Sequence, residues 1–131
     1  MRQKLLLTLA LLALFTVFVV ACGTSPTLGA VEAVQEYWNA LVAKDDAALS
    51  LLSCADWEAS ALLYLDSFQA VDIRLEDFSC AQTGTEGEVS LVVCQGRLVK
   101  TYDNEDQEID LSLRIYEVIQ QGGEFLVCGI R

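Results

Sequence analysis

Polar and apolar residues alternate along the chain in three distinct regimes. Leu5 to Val20 is one uncharged, almost wholly apolar run. From Ala30 to Lys44 the apolar residues Val34, Tyr37, Trp38 and Leu41 recur at helical spacing, with Glu32, Gln35, Glu36 and Asn39 around the other side, which predicts an amphipathic helix. Asp45-Asp46 breaks it and offers an N-cap for a short helix, Ala47 to Leu52. Ser53 is placed to cap a third helix, with Asp56 as the capping-box acid. That helix is expected to reach about Ser67 and to bury Trp57, Ala61, Leu62, Leu65 and Phe68.

From Ala70 the period becomes two. Val71, Ile73 and Leu75 alternate with Asp72, Arg74 and Glu76, the pattern of a half-buried strand. The phase slips where Phe78 and Cys80 become the apolar positions, which places a bulge near Asp77. Gly84 to Gly87 reads as a turn, followed by a second strand from Glu88 to Thr101 and a turn at Asp103-Asn104-Glu105-Asp106. A third strand, Ile109 to Ile119, puts Ile109, Leu111, Leu113 and Ile115 on one face. Gly122-Gly123 then turns the chain into a last strand, Glu124 to Ile130. Helices first and hairpin-linked strands after them give an α+β fold, with N-terminal helices packed on a curved four-stranded antiparallel meander.

The apolar N-terminal run ends in Val19-Val20-Ala21-Cys22, preceded by the short positive stretch Met1-Arg2-Gln3-Lys4. This resembles the lipobox of bacterial lipoproteins cut by signal peptidase II. The resemblance implies that Cys22 is the acylated N-terminus, lipidated on its thiol and seated in a cell membrane, facing the extracytoplasmic side. The rivals are a single membrane-spanning helix, since the run is near the ~17-residue lower limit for a span, and an ordinary secretory peptide. The chain then divides into a signal peptide at 1–21, an acylated N-terminus with a flexible tether at 22–29, and a domain at 30–131.

The step Ala40…Lys44-Asp45-Asp46-Ala47-Ala48-Leu49, between a long first helix and a short second one ahead of a curved sheet, is similar to the NTF2-like (cystatin-like α+β) superfamily. The nearer likeness is to small bacterial lipoproteins of that superfamily whose role is unassigned. It covers the chain from about Ala30 to Arg131.

Without the signal peptide, about 110 residues remain, enough for one core. They hold all 19 acidic residues, and the net charge of that portion is about −13. Such a surface repels nucleic acid and anionic headgroups and suits cations or a basic partner. Cys54, Cys80, Cys94 and Cys128 form an even set, which in an exported domain reads as two disulfides rather than a zinc site, because no histidine and no close cysteine pair is present. In the meander, Cys94 and Cys128 lie two strand spacings apart, too far to bond. This favours Cys80–Cys94 with Cys54–Cys128. The alternative, Cys54–Cys80 with Cys94–Cys128, needs a different strand order.

Candidate chemistry is sparse. The lack of histidine removes the usual triads, and no GxSxG, Walker A or GxGxxG motif occurs. The superfamily resemblance admits one histidine-free route, the ketosteroid isomerase type, in which a carboxylate base works with a tyrosine and a protonated acid. Asp56, Glu58, Asp72 or Glu117 with Tyr37, Tyr64 or Tyr116 are the residues available, although no motif of that family matches here. Tyr37-Trp38 reads as core. The turn from Asp103 to Glu108 holds four acids and one asparagine but lacks the EF-hand order with its glycine, so it reads as a solvated hairpin tip. The expectation is a binding or interaction module that is no enzyme, carries no metal or cofactor and contacts the membrane through its lipid. Its partner is a protein or small ligand of unknown identity. A small-molecule isomerase or dehydratase pocket and a structural envelope protein without a ligand are the alternatives.

Overall fold

The computed structural model describes residues 29–131. Three N-terminal helices pack on one face of a five-stranded, mostly antiparallel sheet. The segment read as a signal peptide, and Cys22 with its tether, lie outside the described residues. No described helix is long and apolar enough to cross a membrane.

Helix α1, Ala30–Ala43, buries Ala33, Val34, Tyr37, Trp38, Ala40 and Leu41, the stripe that the 3.6-residue period demands. Lys44 ends it in the left-handed region (φ 56°), and its Nζ donates to the carbonyls of Gln69 and Val71 at 3.2 and 2.9 Å. Asp45 caps α2, Asp46–Leu51, by accepting from the Ala48 N–H at 2.9 Å. Ser53 does not cap the third helix, nor does Asp56 complete a capping box. The reason lies in the sheet. Cys54 N–H donates to the Val127 carbonyl and Val127 N–H to that of Leu52, so Ser53 forms a parallel bridge with Val127. Its buried hydroxyl turns back to the Leu49 carbonyl at 2.8 Å. Helix α3, Ala55–Asp66, therefore starts after Cys54, whose side chain is engaged with Cys128. Ala61, Leu65 and Phe68 are buried along it, whereas Trp57 and Leu62 are only half-buried.

Strand β1, Asp72–Glu86, pairs along its length with β2, Val89–Tyr102. The register slips between Glu76 and Ser79, at the expected bulge. Asp77 takes a positive φ of 52° there, opposite Gly96 at φ 97°. A side chain on Gly96 would place its Cβ 2.5 Å from the carbonyl oxygens of Glu76 and Asp77, so only glycine lets the two backbones meet. A second slip, between Gln82 and Gly84, has no counterpart in the hydrophobic pattern.

The other edge of β2 serves two strands. Its distal half, Arg97 to Tyr102, pairs with β3, Glu105–Asp110, and its proximal half, Val89 to Val93, with β4, Ile115–Gln121. The continuous third strand expected from Ile109 to Ile119 is thus two strands, and the sheet has five members rather than four. A 3₁₀ turn, Leu111–Leu113, divides them; the Asp110 carboxylate caps it, accepting from the Ser112 N–H and hydroxyl at 2.8 and 2.7 Å. The turn resets the side-chain phase. Leu111 is buried, Leu113 is 80% exposed, and Tyr116 and Val118 rather than Ile115 face the core. Strand β5, Glu124–Ile130, pairs with β4 and closes the order β1-β2-β4-β5.

Disulfides join Cys54 to Cys128 and Cys80 to Cys94. The second links facing residues of β1 and β2; the first closes a separation of 74 residues and ties the helical layer to the last strand. Two such bonds are the mark of an oxidising, extracytoplasmic setting.

Gly96→Ala is expected to cost roughly 2–4 kcal/mol, from backbone strain plus the clash across the bulge. Gly84→Ala, where an added Cβ meets nothing within 4 Å, should stay within about 0.5 kcal/mol of the parent. Urea midpoints of the two variants under non-reducing conditions check the difference.

Candidate functional site

The space between helices and sheet is filled. Trp38, Tyr37, Tyr116, Leu41, Leu49, Leu98 and Leu111 are fully buried there. The Trp38 indole N–H donates to the Tyr116 hydroxyl at 2.9 Å, and Trp57 donates to the Tyr37 hydroxyl at 3.3 Å. Burial pushes the Tyr37 hydroxyl up to about 12, with the Trp57 hydrogen bond offsetting part of the rise. Tyr116 is raised further for the same reason, offset in part by Trp38. Both are neutral structural hydroxyls at ordinary pH.

The carboxylates singled out in the sequence lie elsewhere. Asp56 is exposed in the first turn of α3 and Asp72 is exposed at the start of β1. Glu58 is half-buried on α3. Glu117 projects from the sheet face away from Tyr116, and Arg131 pairs with it at 3.3 Å. Among the described residues no hydrogen bond joins any of these acids to Tyr37, Tyr64 or Tyr116. The tip of the acidic hairpin, Asp103 to Glu105, is exposed as expected, and two of the acids that follow it on β3 face arginines. Asp106 pairs with Arg74 at 2.9 Å and Glu108 with Arg97 at 3.6 Å, while Glu76 bridges both arginines. Hydrogen bonds from Arg97 and then Arg74 hold the Glu76 carboxyl below its ordinary range, and Arg74 does the same for Asp106. No group of three or more acids or cysteines among the described residues is placed to hold a metal ion.

Three depressions are formed by the described residues alone. One of about 470 Å³ opens beside Lys44, Asp72 and Asp103, but the Lys44 ammonium already serves two carbonyls. One of about 380 Å³ lies at Gly96, Arg97, Glu108 and Asp110, where Arg97 is already ion-paired. The third, about 400 Å³, is lined from α3 by Trp57, Ser60, Leu63, Tyr64 and Ser67, and from the sheet by Arg114 and Ile130. Its α3 residues fall at intervals of three and four, a second stripe beside the one that faces the core.

Tyr64 forms the centre of this groove. Its ring packs edge-on against Phe68 and Trp38, with centroids at 4.7 and 6.3 Å. The Arg114 guanidinium sits 5.5 Å from the ring centroid and donates through Nη1 to the Tyr64 hydroxyl at 3.2 Å. Arg114 leaves the 3₁₀ turn with its N–H on the Leu111 carbonyl. Paired hydrogen bonds between Ile115 and Arg131, at 2.8 and 2.9 Å, hold the start of β4, next to Arg114, against the end of β5, where Ile130 stands. Arg74, Arg97 and Arg131 each face a carboxylate, whereas Arg114 makes no ion pair among the described residues.

Leu63, Ser60 and Arg114 escaped the sequence reading, because they lie off the core stripe of α3 and at a break that the strand pattern concealed. The signal that could have found the first two was the spacing of Trp57, Ser60, Tyr64 and Ser67 along one helix flank.

The folded tyrosines resist ionisation more than unfolded ones do, so their contribution to stability is full below about pH 10 and falls as pH rises through about 12. In an alkaline titration, the tyrosinate absorbance of Tyr37 and Tyr116 should appear together with loss of the circular-dichroism signal. Tyr37→Phe should make the decline in stability over that window shallower.

In comparisons with known proteins, no family model, no curated protein and no solved structure matches this chain.

Proposed function

We propose that this protein is a lipid-anchored, extracytoplasmic binding module with an NTF2-like (cystatin-like α+β) domain that meets its ligand at the surface and carries no catalytic centre. The observation that carries the reading is the filled interior. A pocket enzyme of the isomerase type needs an open cavity with a carboxylate poised inside it. Here Trp38, Tyr37 and Tyr116 occupy that volume; the Trp38 indole donates to the Tyr116 hydroxyl, and the Tyr37 hydroxyl accepts from Trp57. Among the open depressions of the described surface, the groove over Tyr64 combines apolar side chains, two serines and one arginine without a carboxylate partner.

The anchor rests on Val19-Val20-Ala21-Cys22 and its flanks. Two acyl chains, at about 0.8 kcal/mol per buried methylene, give stable attachment. The disulfides agree with export.

Two readouts in one bacterial host test the proposal. With an alkyne-tagged fatty acid, the wild-type chain should be labelled and cleaved before Cys22, and Cys22→Ala should be neither. A photo-crosslinking residue at Ser60, in the groove, should give a discrete adduct by mass spectrometry, and one at Glu88, on the exposed β1–β2 turn, should not. Label on the Cys22→Ala chain overturns the anchor; equal or absent adducts at the two positions overturn the surface-binding reading.

A further inference from the structure

The groove over Tyr64 has a composition that selects its ligand. Three of the protein's arginines are neutralised by carboxylates of the same chain, in a sequence where acidic residues outnumber basic ones 19 to 8. Arg114 has every statistical opportunity to find an acid and instead stacks on a tyrosine ring. One of its N–H groups is used by the Tyr64 hydroxyl, which leaves the outer edge of a planar fork for an incoming acceptor. Around it stand Trp57, Leu63 and Ile130. Leu63 is 72% exposed, an apolar side chain that none of the described residues covers.

We infer that this groove binds a small apolar carboxylate, with its aromatic or short aliphatic body along Trp57, Leu63 and Ile130 and its acid group on Arg114. The inference rests on the reading of the chain as a surface-binding module and adds the site and the ligand class. A carboxylate fits better than a phosphate for two reasons. A guanidinium fork pairs with a carboxylate through two parallel hydrogen bonds. A single cation balances one negative charge against the strongly acidic remainder of the surface, but not two. A small molecule fits better than a protein, because about 400 Å³ lies in the range of small-ligand sites. A stable protein contact takes about 800 Å² from each partner. The aromatic floor gives the site rigidity before the ligand arrives, since Tyr64 is held between Trp38 and Phe68.

The test uses the full acylated chain in lipid nanodiscs, with empty nanodiscs as the blank, and three probes of one shape: 4-phenylbutyrate, its neutral amide and the cationic 4-phenylbutylamine. Methyl resonances of Leu63 and Ile130 and the Arg114 Nε–H report the site. Saturable shifts with 4-phenylbutyrate and at least ten-fold weaker binding of the amide are expected. Arg114→Gln should abolish that preference, with the methyl signals of buried Val34 and Leu98 unmoved. Leu63→Gln, at an exposed position, should weaken acid and amide alike. The proposal is overturned if the acid does not saturate, if the preference survives Arg114→Gln, if the amine binds best, or if inorganic phosphate competes as well as 4-phenylbutyrate. Should the probes fail while a crosslinker at Ser60 still gives its adduct, the ligand class is wrong and the surface-binding reading stands. Should both fail, both fall.

Discussion

One hydrogen bond, from the Trp38 indole to the Tyr116 hydroxyl, joins α1 to the middle of the sheet, and the packing of the domain is arranged around it. An indole N–H and a phenol hydroxyl are large apolar bodies with one polar atom each, and burying either alone leaves an unpaired group worth about 1–3 kcal/mol. Paired, they can be buried completely. That solution occupies the centre of the space between the layers, and Tyr37 with Trp57 repeats it toward the helical side. The edge contacts of Trp38 with Tyr116 and Tyr64, and of Tyr64 with Phe68, then extend one aromatic cluster from the core to the groove. The rigidity of the groove is thus inherited from the core, and the floor at Tyr64 has its positions set by Trp38 and Phe68.

The second constraint is the shape of β2. A strand that pairs with β1 along one edge and with two separate strands on the other must bend where those partners part. The break falls at Cys94 to Gly96, beside the bulge at Asp77. Beyond the bend, the solvent face of the sheet is sewn by Arg74, Arg97, Glu76, Asp106 and Glu108 above a buried Val99. These exposed pairs add little stability individually. Their effect is on register, since each arginine is matched to acids on two strands. The same split of the third strand produces the 3₁₀ turn that delivers Arg114, so the site depends on an irregularity of the sheet rather than on its regular ladder.

How much of this was legible follows from which interactions are local. The stripe of α1, the Asp45 cap and the bulge near Asp77 are written in short-range periodicity, and each lies where the pattern puts it. The last strand, Glu124–Ile130, also matches its expected limits. Ser53 failed as a cap because Val127, far away in sequence, claims the backbone beside it. The break at Leu111–Leu113 was invisible because Ile109, Leu111, Leu113 and Ile115 alternate perfectly; only the Asp110–Ser112 cap, a competing local hydrogen bond, interrupts them. Ser60, Leu63 and Arg114 could not be read from core patterning, since they occupy positions that the core does not use.

The bond between Cys54 and Cys128 has a mechanical meaning. It makes a closed ring of the chain from Cys54 to Cys128, which holds α3 and the sheet up to the last two residues of β5, and leaves α1, α2 and Gly129-Ile130-Arg131 outside. A pull entering ahead of α1 and leaving at Arg131 would run through α1 and α2, cross the covalent bridge and reach the end of β5 without passing along the chain between Cys54 and Cys128. Under such a load the two leading helices are the extensible part. The ring, with Tyr64 and Arg114 both inside it, keeps its contour whatever happens upstream.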